Sequence, residues 1–380
     1  MLSSFDDYRV HQSAAPISES PNQPNLYDRD WFNGYDKDGE FYFAIGSGIY
    51  PGRGIHDGAF SLVIDGTQYA FFTSAYYEGP RQLKSNIGPF ELETLVPMRS
   101  SRLVIKSNDT GIECDLIFSA KSCCIEESRQ TLKHEDHLLM DVTRFAQLGQ
   151  WQGWIRYKGK TLEISPARVL GTKDRSWGVR PLGNPKPQPE SSQNSAPPLK
   201  SQSPFFFLWA PIHWETHGSH YCLFEDTTGK PLFSDGAIVP FYSSVDDIPT
   251  VVDENEIRFD TLSHELTFTP GSRRVKKAVL TMASSDREAS VIELEPLLTF
   301  NMAGLGYNHP EWSQGADKGP SAIGYEEWRP GDMSGTDPIN QHVQTVMRAS
   351  CNGQTGTGVL EQGIFGPSAK YGFKDYLDAA

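Results

Sequence analysis

Cysteine is scarce: five in 380 residues, at Cys114, Cys123, Cys124, Cys222 and Cys351, an odd number with no C-x-x-C pair. That usage gives neither a disulfide framework nor a zinc knuckle, and it fits a reducing cytoplasm. Positive charge is short as well, with 34 Lys and Arg against 48 Asp and Glu and a formal net charge of −14. Affinity for a phosphate backbone rests on clustered cations, so no nucleic-acid partner is expected. The longest basic run, Arg273-Arg274-Val275-Lys276-Lys277, follows the turn at Pro270-Gly271 and reads as a solvated strand edge. No apolar run reaches the length of a membrane span. The first seven residues have neither the basic nor the apolar region of a secretory signal. There is no G-x-S-x-G, and Cys123-Cys124 sits in a strand-like run, so covalent hydrolase chemistry has no visible nucleophile. Helical periodicity is rare.

Strand signals recur instead. Phe60–Ile64 and Thr67–Phe72 flank Asp65-Gly66, a favoured two-residue hairpin turn. Arg102–Lys106 and Glu113–Phe118 flank Asn108-Asp109-Thr110-Gly111, and Trp154–Tyr157 and Thr161–Ile164 flank Lys158-Gly159-Lys160. The pattern resumes at Tyr221–Asp226 and continues around residues 257–261, 278–282 and 291–294. Many short strands with turn signals between them predict an all-β chain of sandwiches or barrels. Residues 181–204 carry seven prolines among Ser, Gln and Asn and read as an irregular loop. The expected organisation is therefore a β domain over 1–180, a proline-rich loop over 181–204 and a second β domain over 205–380.

The densest polar cluster, Gly171-Thr172-Lys173-Asp174-Arg175-Ser176-Trp177-Gly178-Val179-Arg180, stands just before that loop. In an extended segment Asp174, Ser176 and Gly178 share one face, and Arg175 and Trp177 the other. Asp174 is then a candidate proton donor or orienting carboxylate, with the Trp177 indole able to stabilise cationic charge. The alternative is an Asp–Arg pair pinning the strand, with Trp177 in the core.

A second cluster is His213-Trp214-Glu215-Thr216-His217-Gly218-Ser219-His220. It lacks the spacing of H-E-x-x-H. In a strand His213, Glu215 and His217 alternate onto one face, the donor set of a non-haem iron site. They also span more than ~13 Å at ~3.3 Å per residue, too far for one ion. These histidines read as pocket hydrogen-bonders, and no metal or cofactor is expected. Gly46-Ser47-Gly48-Ile49-Tyr50-Pro51-Gly52-Arg53-Gly54 lacks dinucleotide-loop spacing and is explained by turn chemistry.

Residues 171–180 resemble the G-T-R-D-H-S-W-G-V-R signature of lipocalin-like proteins of the AttH/carotenoid-hydratase type. The resemblance extends to residues 27–59, with Trp31-Phe32 and the Arg53-Gly54 turn. It takes in Trp209-Ala210-Pro211 through His217 and Asp226, and Gly304-Leu305-Gly306-Tyr307 with His309-Pro310-Glu311-Trp312. It implies two calycin-type antiparallel β-barrels side by side. The family includes carotenoid 1,2-hydratases, which add water to an isoprenoid double bond by acid catalysis through a D-H-N-W-G core. Asp174, Trp177 and Gly178 match that core, whereas Arg175 stands in the histidine's place. Phe224-Glu225-Asp226 corresponds to a downstream Y-x-D element of those enzymes. Arginine holds its proton at neutral pH, which disfavours strict carotenoid hydration.

The reading is a cofactor-free enzyme acting on a hydrophobic isoprenoid, terpenoid or polycyclic molecule by hydration, isomerisation or cyclisation. Asp174, Asp226 and Arg175 are the catalytic candidates. Trp177, Arg180, Trp209, His213, His217, Tyr307 and His309 are the substrate-binding ones. A homodimer stays open. The alternatives are a non-catalytic lipid or isoprenoid carrier and a metal-dependent oxygenase using His213 and His217.

Overall fold

Aromatic and β-branched residues alternate with polar ones along most of the chain, and every strand pair that results is antiparallel. The computed structural model describes residues 2–8, 11, 24–77, 84–134, 137–182, 204–250 and 253–380. Among these there is no α-helix, only short 3-10 turns between strands. No helix is therefore long and apolar enough to cross a membrane. Apart from Pro181, Leu182 and Pro204, the proline-rich stretch lies outside the described residues.

The strands form two sheets, one of 14 and one of 9. In the first, Leu26–Asp36, Phe41–Tyr50, Ile55–Ile64 and Thr67–Tyr76 follow one another as a meander. The hairpin expected at Asp65-Gly66 is present, with both residues at positive φ (53° and 73°) as a two-residue turn requires. Val169–Val179 lies between Leu26–Asp36 and the 21-residue strand His137–Tyr157. The sheet curls on itself, and Thr73 Oγ1 donates to the Ile87 carbonyl (3.3 Å) on the edge strand Lys84–Ile87. The second sheet has Ile257–Phe259 and Thr261–Phe268 at its two edges and closes in the same way, with Leu262 lying over Gly236.

Both barrels are filled. Phe32, Phe43, Phe118 and Trp151 interlock inside the first at ring-centroid distances of 5.3 to 5.7 Å. Gly171 makes room for this packing, because a Cβ there would lie 2.3 Å from the Trp151 indole nitrogen. Phe206, Leu208, Ile212, Leu223, Leu280 and Met347 are among the side chains filling the second. A third apolar cluster lies between the sheets and draws on both: Trp31, Tyr42, Phe72 and Ala146 from the first, Phe207, Trp209, Phe300 and Val359 from the second.

The chain does not divide cleanly at residues 180 and 205. Ser321–Trp328 pairs along Thr67–Tyr76 in the first sheet, from Ser321 opposite Ala75 to Trp328 opposite Gln68. It covers a strand that would otherwise present unpaired backbone groups. The basic run also departs from expectation at its first residue. Arg273 is buried and donates to the carbonyls of Gly366 (2.8 Å), Asp375 (2.5 Å) and Asp378 (2.8 Å), fastening the C-terminal segment.

Candidate active site between the two barrels

Strand alternation sorts the Val169–Val179 side chains onto two faces. Lys173, Arg175 and Trp177 point into the first barrel, where the 3-10 turn Ser4–Asp7 closes its mouth. Lys173 pairs there with Asp7 and donates to Ser101 Oγ (3.3 Å). Arg175 is fully buried, paired with Asp28 (3.1 Å) and Asp30 (2.9 Å), and it donates to the Asp6 carbonyl (3.3 Å). Trp177 stacks on His11 at 3.8 Å with an 8° tilt. Gly178 has φ +129°, and a Cβ there would lie 2.0 Å from the Asp141 carbonyl, so only glycine fits.

Asp174 points the other way, toward the second sheet. Across the strands it stands between Trp31 and Ala146. Its side chain keeps 14% of its surface accessible, and the nearest cation, Arg144, approaches only to 3.6 Å. Burial pushes its pKa up to about 7. Arg144 opposes that shift, and the Glu127 and Glu361 carboxylates add to it. Asp174 is thus poised to give or take a proton at neutral pH.

The surrounding charges come from both sheets. Arg144 lies 3.7 Å from Glu127, and Glu127 lies 3.3 Å from His220 Nε2 and accepts from Trp209 Nε1 (3.3 Å). Burial would raise the Glu127 carboxyl, but Arg144 and His220 hold it down at about 2, so it stays ionised. Glu361 pairs with His342 (2.7 Å) and accepts from Gln344 (2.6 Å). Gln344 in turn accepts from Tyr42 (2.5 Å) and Asn33 (3.2 Å) across the seam. Trp31 meets Trp209 edge to face at 5.7 Å. Tyr307 lies under the guanidiniums of Arg29 (5.6 Å) and Arg180 (6.0 Å), and burial raises its hydroxyl against their opposing charge.

A groove of about 460 Å³ opens at the seam, lined by Glu126 to Arg129, Ser234 to Gly236, Arg258 and Phe259. Glu127 belongs to both groove and charged cluster.

Of the residues expected from the sequence, the structure brings together Asp174, Trp209, Tyr307 and Arg180. Arg175 and Trp177 are separated from Asp174 by the alternation of their own strand, and they serve the first barrel. Asp226 lies in the turn after His217–Glu225, where its Oδ1 accepts from Thr228 N (2.8 Å), Thr228 Oγ1 (2.6 Å) and Lys230 N (3.1 Å). Those bonds hold its pKa below the usual carboxylate range, the reverse of what a neutral-pH acid needs. His213 is a buried strut, bonded to Tyr35 (2.9 Å) and the Gly149 carbonyl (3.0 Å), and burial lowers its pKa to about 3. His217 is partly exposed beside Trp214, with Glu215 exposed in the turn between the two strands. His309 accepts from the backbone of Glu311 (3.1 Å) and Trp312 (2.9 Å) and pairs with Glu326 (3.1 Å), which makes it a turn support. The sequence reading missed Arg144, Glu127, Glu361, His220 and Trp31. Trp31 and His220 stood inside noted motifs; the other three carry no local pattern.

The model of a "Family of unknown function (DUF8625)" matches residues 2–374. No curated protein matches the chain. Among solved structures, CghA with Sch210972 is similar at a TM-score of 0.53 and 11% identity, covering 93% of each chain. CghA alone gives 0.50 at 10% identity, covering 93% of this chain and 94% of that one. Kievitone hydratase from Nectria haematococca gives 0.46 at 13% identity, covering 94% of each. At these identities the likeness is one of fold, two antiparallel β-barrels side by side.

Proposed function

We propose that this chain, which belongs to the Family of unknown function (DUF8625), is an enzyme that moves a proton on a hydrophobic small molecule held between its two barrels. The observation that carries the reading is Asp174, a carboxyl raised to about 7 among aromatic side chains from both sheets. Trp31, Trp209 and Tyr307 form the apolar walls, and Arg144 sets the local field. A carboxyl with a pKa near the working pH suits the proton transfers of acid–base hydration, isomerisation or cyclisation of an isoprenoid or polycyclic molecule. CghA, of the same fold, has been crystallised with Sch210972, which supports ligand binding as a use of the architecture.

The test begins with native mass spectrometry of freshly purified protein and identification of the released ligand. Turnover of that ligand by Asp174→Asn then decides the role. Conversion by wild type and its loss in the variant is the expected result. A ligand returned chemically unaltered by wild type would make the protein a carrier, and unchanged turnover in the variant would remove Asp174 from the mechanism.

A further inference from the structure

Several polar atoms around Asp174 are buried with no hydrogen-bond partner among the described residues: Trp31 Nε1, the Tyr27 hydroxyl, Arg144 Nε and His220 Nδ1. On the same strand and face as Trp31, Arg29 Nε is unpaired as well, whereas Asn33 and Tyr35 are satisfied. Asn33 accepts from Thr172 N (2.7 Å) and donates to Gln344 (3.2 Å), while the Tyr35 hydroxyl bonds His213 (2.9 Å). A buried polar group left unpaired costs about 1–3 kcal/mol, so the two donors that flank Asp174 call for an explanation.

The chemistry of the two groups flanking Asp174 narrows it. Trp31 stands directly opposite Asp174 on Leu26–Asp36. Arg144 reaches it from the other neighbouring strand, His137–Tyr157. An indole N–H and a guanidinium N–H can only donate. Whatever completes them must accept, which a pure hydrocarbon cannot do. An anion is disfavoured as well, because Glu127 already balances Arg144, and Glu361 adds negative charge nearby. The remaining class is a neutral oxygen acceptor on an apolar body.

We infer that the substrate of this site is a neutral hydrophobic carbonyl compound whose oxygen accepts from Trp31 Nε1 and Arg144 Nε, with its neighbouring carbon presented to Asp174. The inference rests on the proposed function and specifies its substrate. The chemistry then closes without a co-reactant. Asp174 takes the proton from the carbon beside the carbonyl. The bonding pair forms the enolate double bond, and charge moves to the oxygen that the two donors hold. Return of the proton at a conjugated carbon completes an isomerisation.

The test uses the full-length protein and two probes of nearly one shape, 9-fluorenone and its carbonyl-free parent fluorene. Wild type should bind the ketone roughly tenfold more tightly, with the carbonyl stretch of bound fluorenone shifted to lower wavenumber. Trp31→Phe keeps a ring and deletes one donor, and should cut that preference roughly fivefold while reversing part of the shift. Arg144→Met with Glu127→Gln removes the charge pair and one donor together, and carries the test if the Trp31 variant does not fold. Equal binding of the two probes would mean that water satisfies the donors, and overturns the inference. A preference unchanged in both variants overturns it too. Asp174→Asn separates the two readings. Lost turnover without ketone preference leaves the function standing and removes the carbonyl. Ketone preference with turnover intact does the reverse.

Discussion

The two faces of Val169–Val179 carry similar polar residues and treat them in opposite ways. On the barrel face Lys173 and Arg175 are enclosed by Asp7, Asp28, Asp30 and the Asp6 carbonyl, all within ordinary ion-pair or hydrogen-bond distance. On the seam face Asp174 meets its one cation at 3.6 Å and keeps part of its surface open. Burying charge is tolerated where close ion-pair partners are supplied, and a loosely paired carboxyl has its pKa shifted instead. Alternation along a single strand therefore separates the residues that hold this fold from the proposed acid–base group.

Substitution on each face should break that comparison in a different observable. Asp174→Asn is expected to lower turnover of the identified ligand by about 10²- to 10⁴-fold, the usual weight of a general acid or base, with the urea midpoint near that of wild type at neutral pH. Arg175→Met should do the opposite. It removes the buried cation shared by Asp28 and Asp30, and should cost about 3–5 kcal/mol in chemical denaturation. If Arg175→Met left stability untouched and abolished turnover of folded protein, the assignment of the faces would be inverted.

That assignment was half visible in the sequence. The turns at Asp65-Gly66 and Lys158-Gly159 marked real hairpins, because positive φ at those positions leaves a residue signature. Alternation correctly set Asp174 apart from Arg175 and Trp177. What alternation does not reveal is which face meets which sheet, and so the motif as a whole looked catalytic. Arg144 and Glu361 reach Asp174 from two other strands and Glu127 from a loop, and none has a local pattern to betray it. Asp226 misled for a related reason. An Asp two residues before a Thr and three before a Gly is turn chemistry, and the structure uses it that way. The pairing of Ser321–Trp328 with the first sheet is a long-range choice that a glycine-aromatic segment does not announce.

A third measurement sharpens the seam face through pH. A carboxyl whose folded pKa is raised to about 7 from an ordinary 3.8 binds its proton more tightly folded than unfolded. Its stabilising contribution is complete below about pH 4 and is lost as pH rises through 7. The upper bound on that loss is about 4 kcal/mol. Asp174→Asn should flatten this part of the stability profile, so that the variant gains on wild type between pH 4 and 7. Parallel profiles across that window would mean an ordinary surface carboxylate at 174.

The smallest effect belongs to the barrel face and has a related sign. His11 bridges Asp6 (3.1 Å) and Asp28 (2.8 Å) and lies flat on Trp177, with Arg175 close behind. Burial and Arg175 push its pKa down, but the two carboxylates outweigh them and hold it above the ordinary histidine value. The stabilisation is therefore present at low pH and disappears as pH rises through the raised value. His11→Gln should cost about 1–2 kcal/mol at pH 5.5, where charge-assisted bonds are lost, and progressively less toward pH 9. The indole of Trp177 supplies a local reporter, since its emission should respond to pH in wild type and not in the variant. A cost that stayed constant with pH would show that His11 holds the N-terminal turn by stacking alone, and that the charge on this face is closed without it.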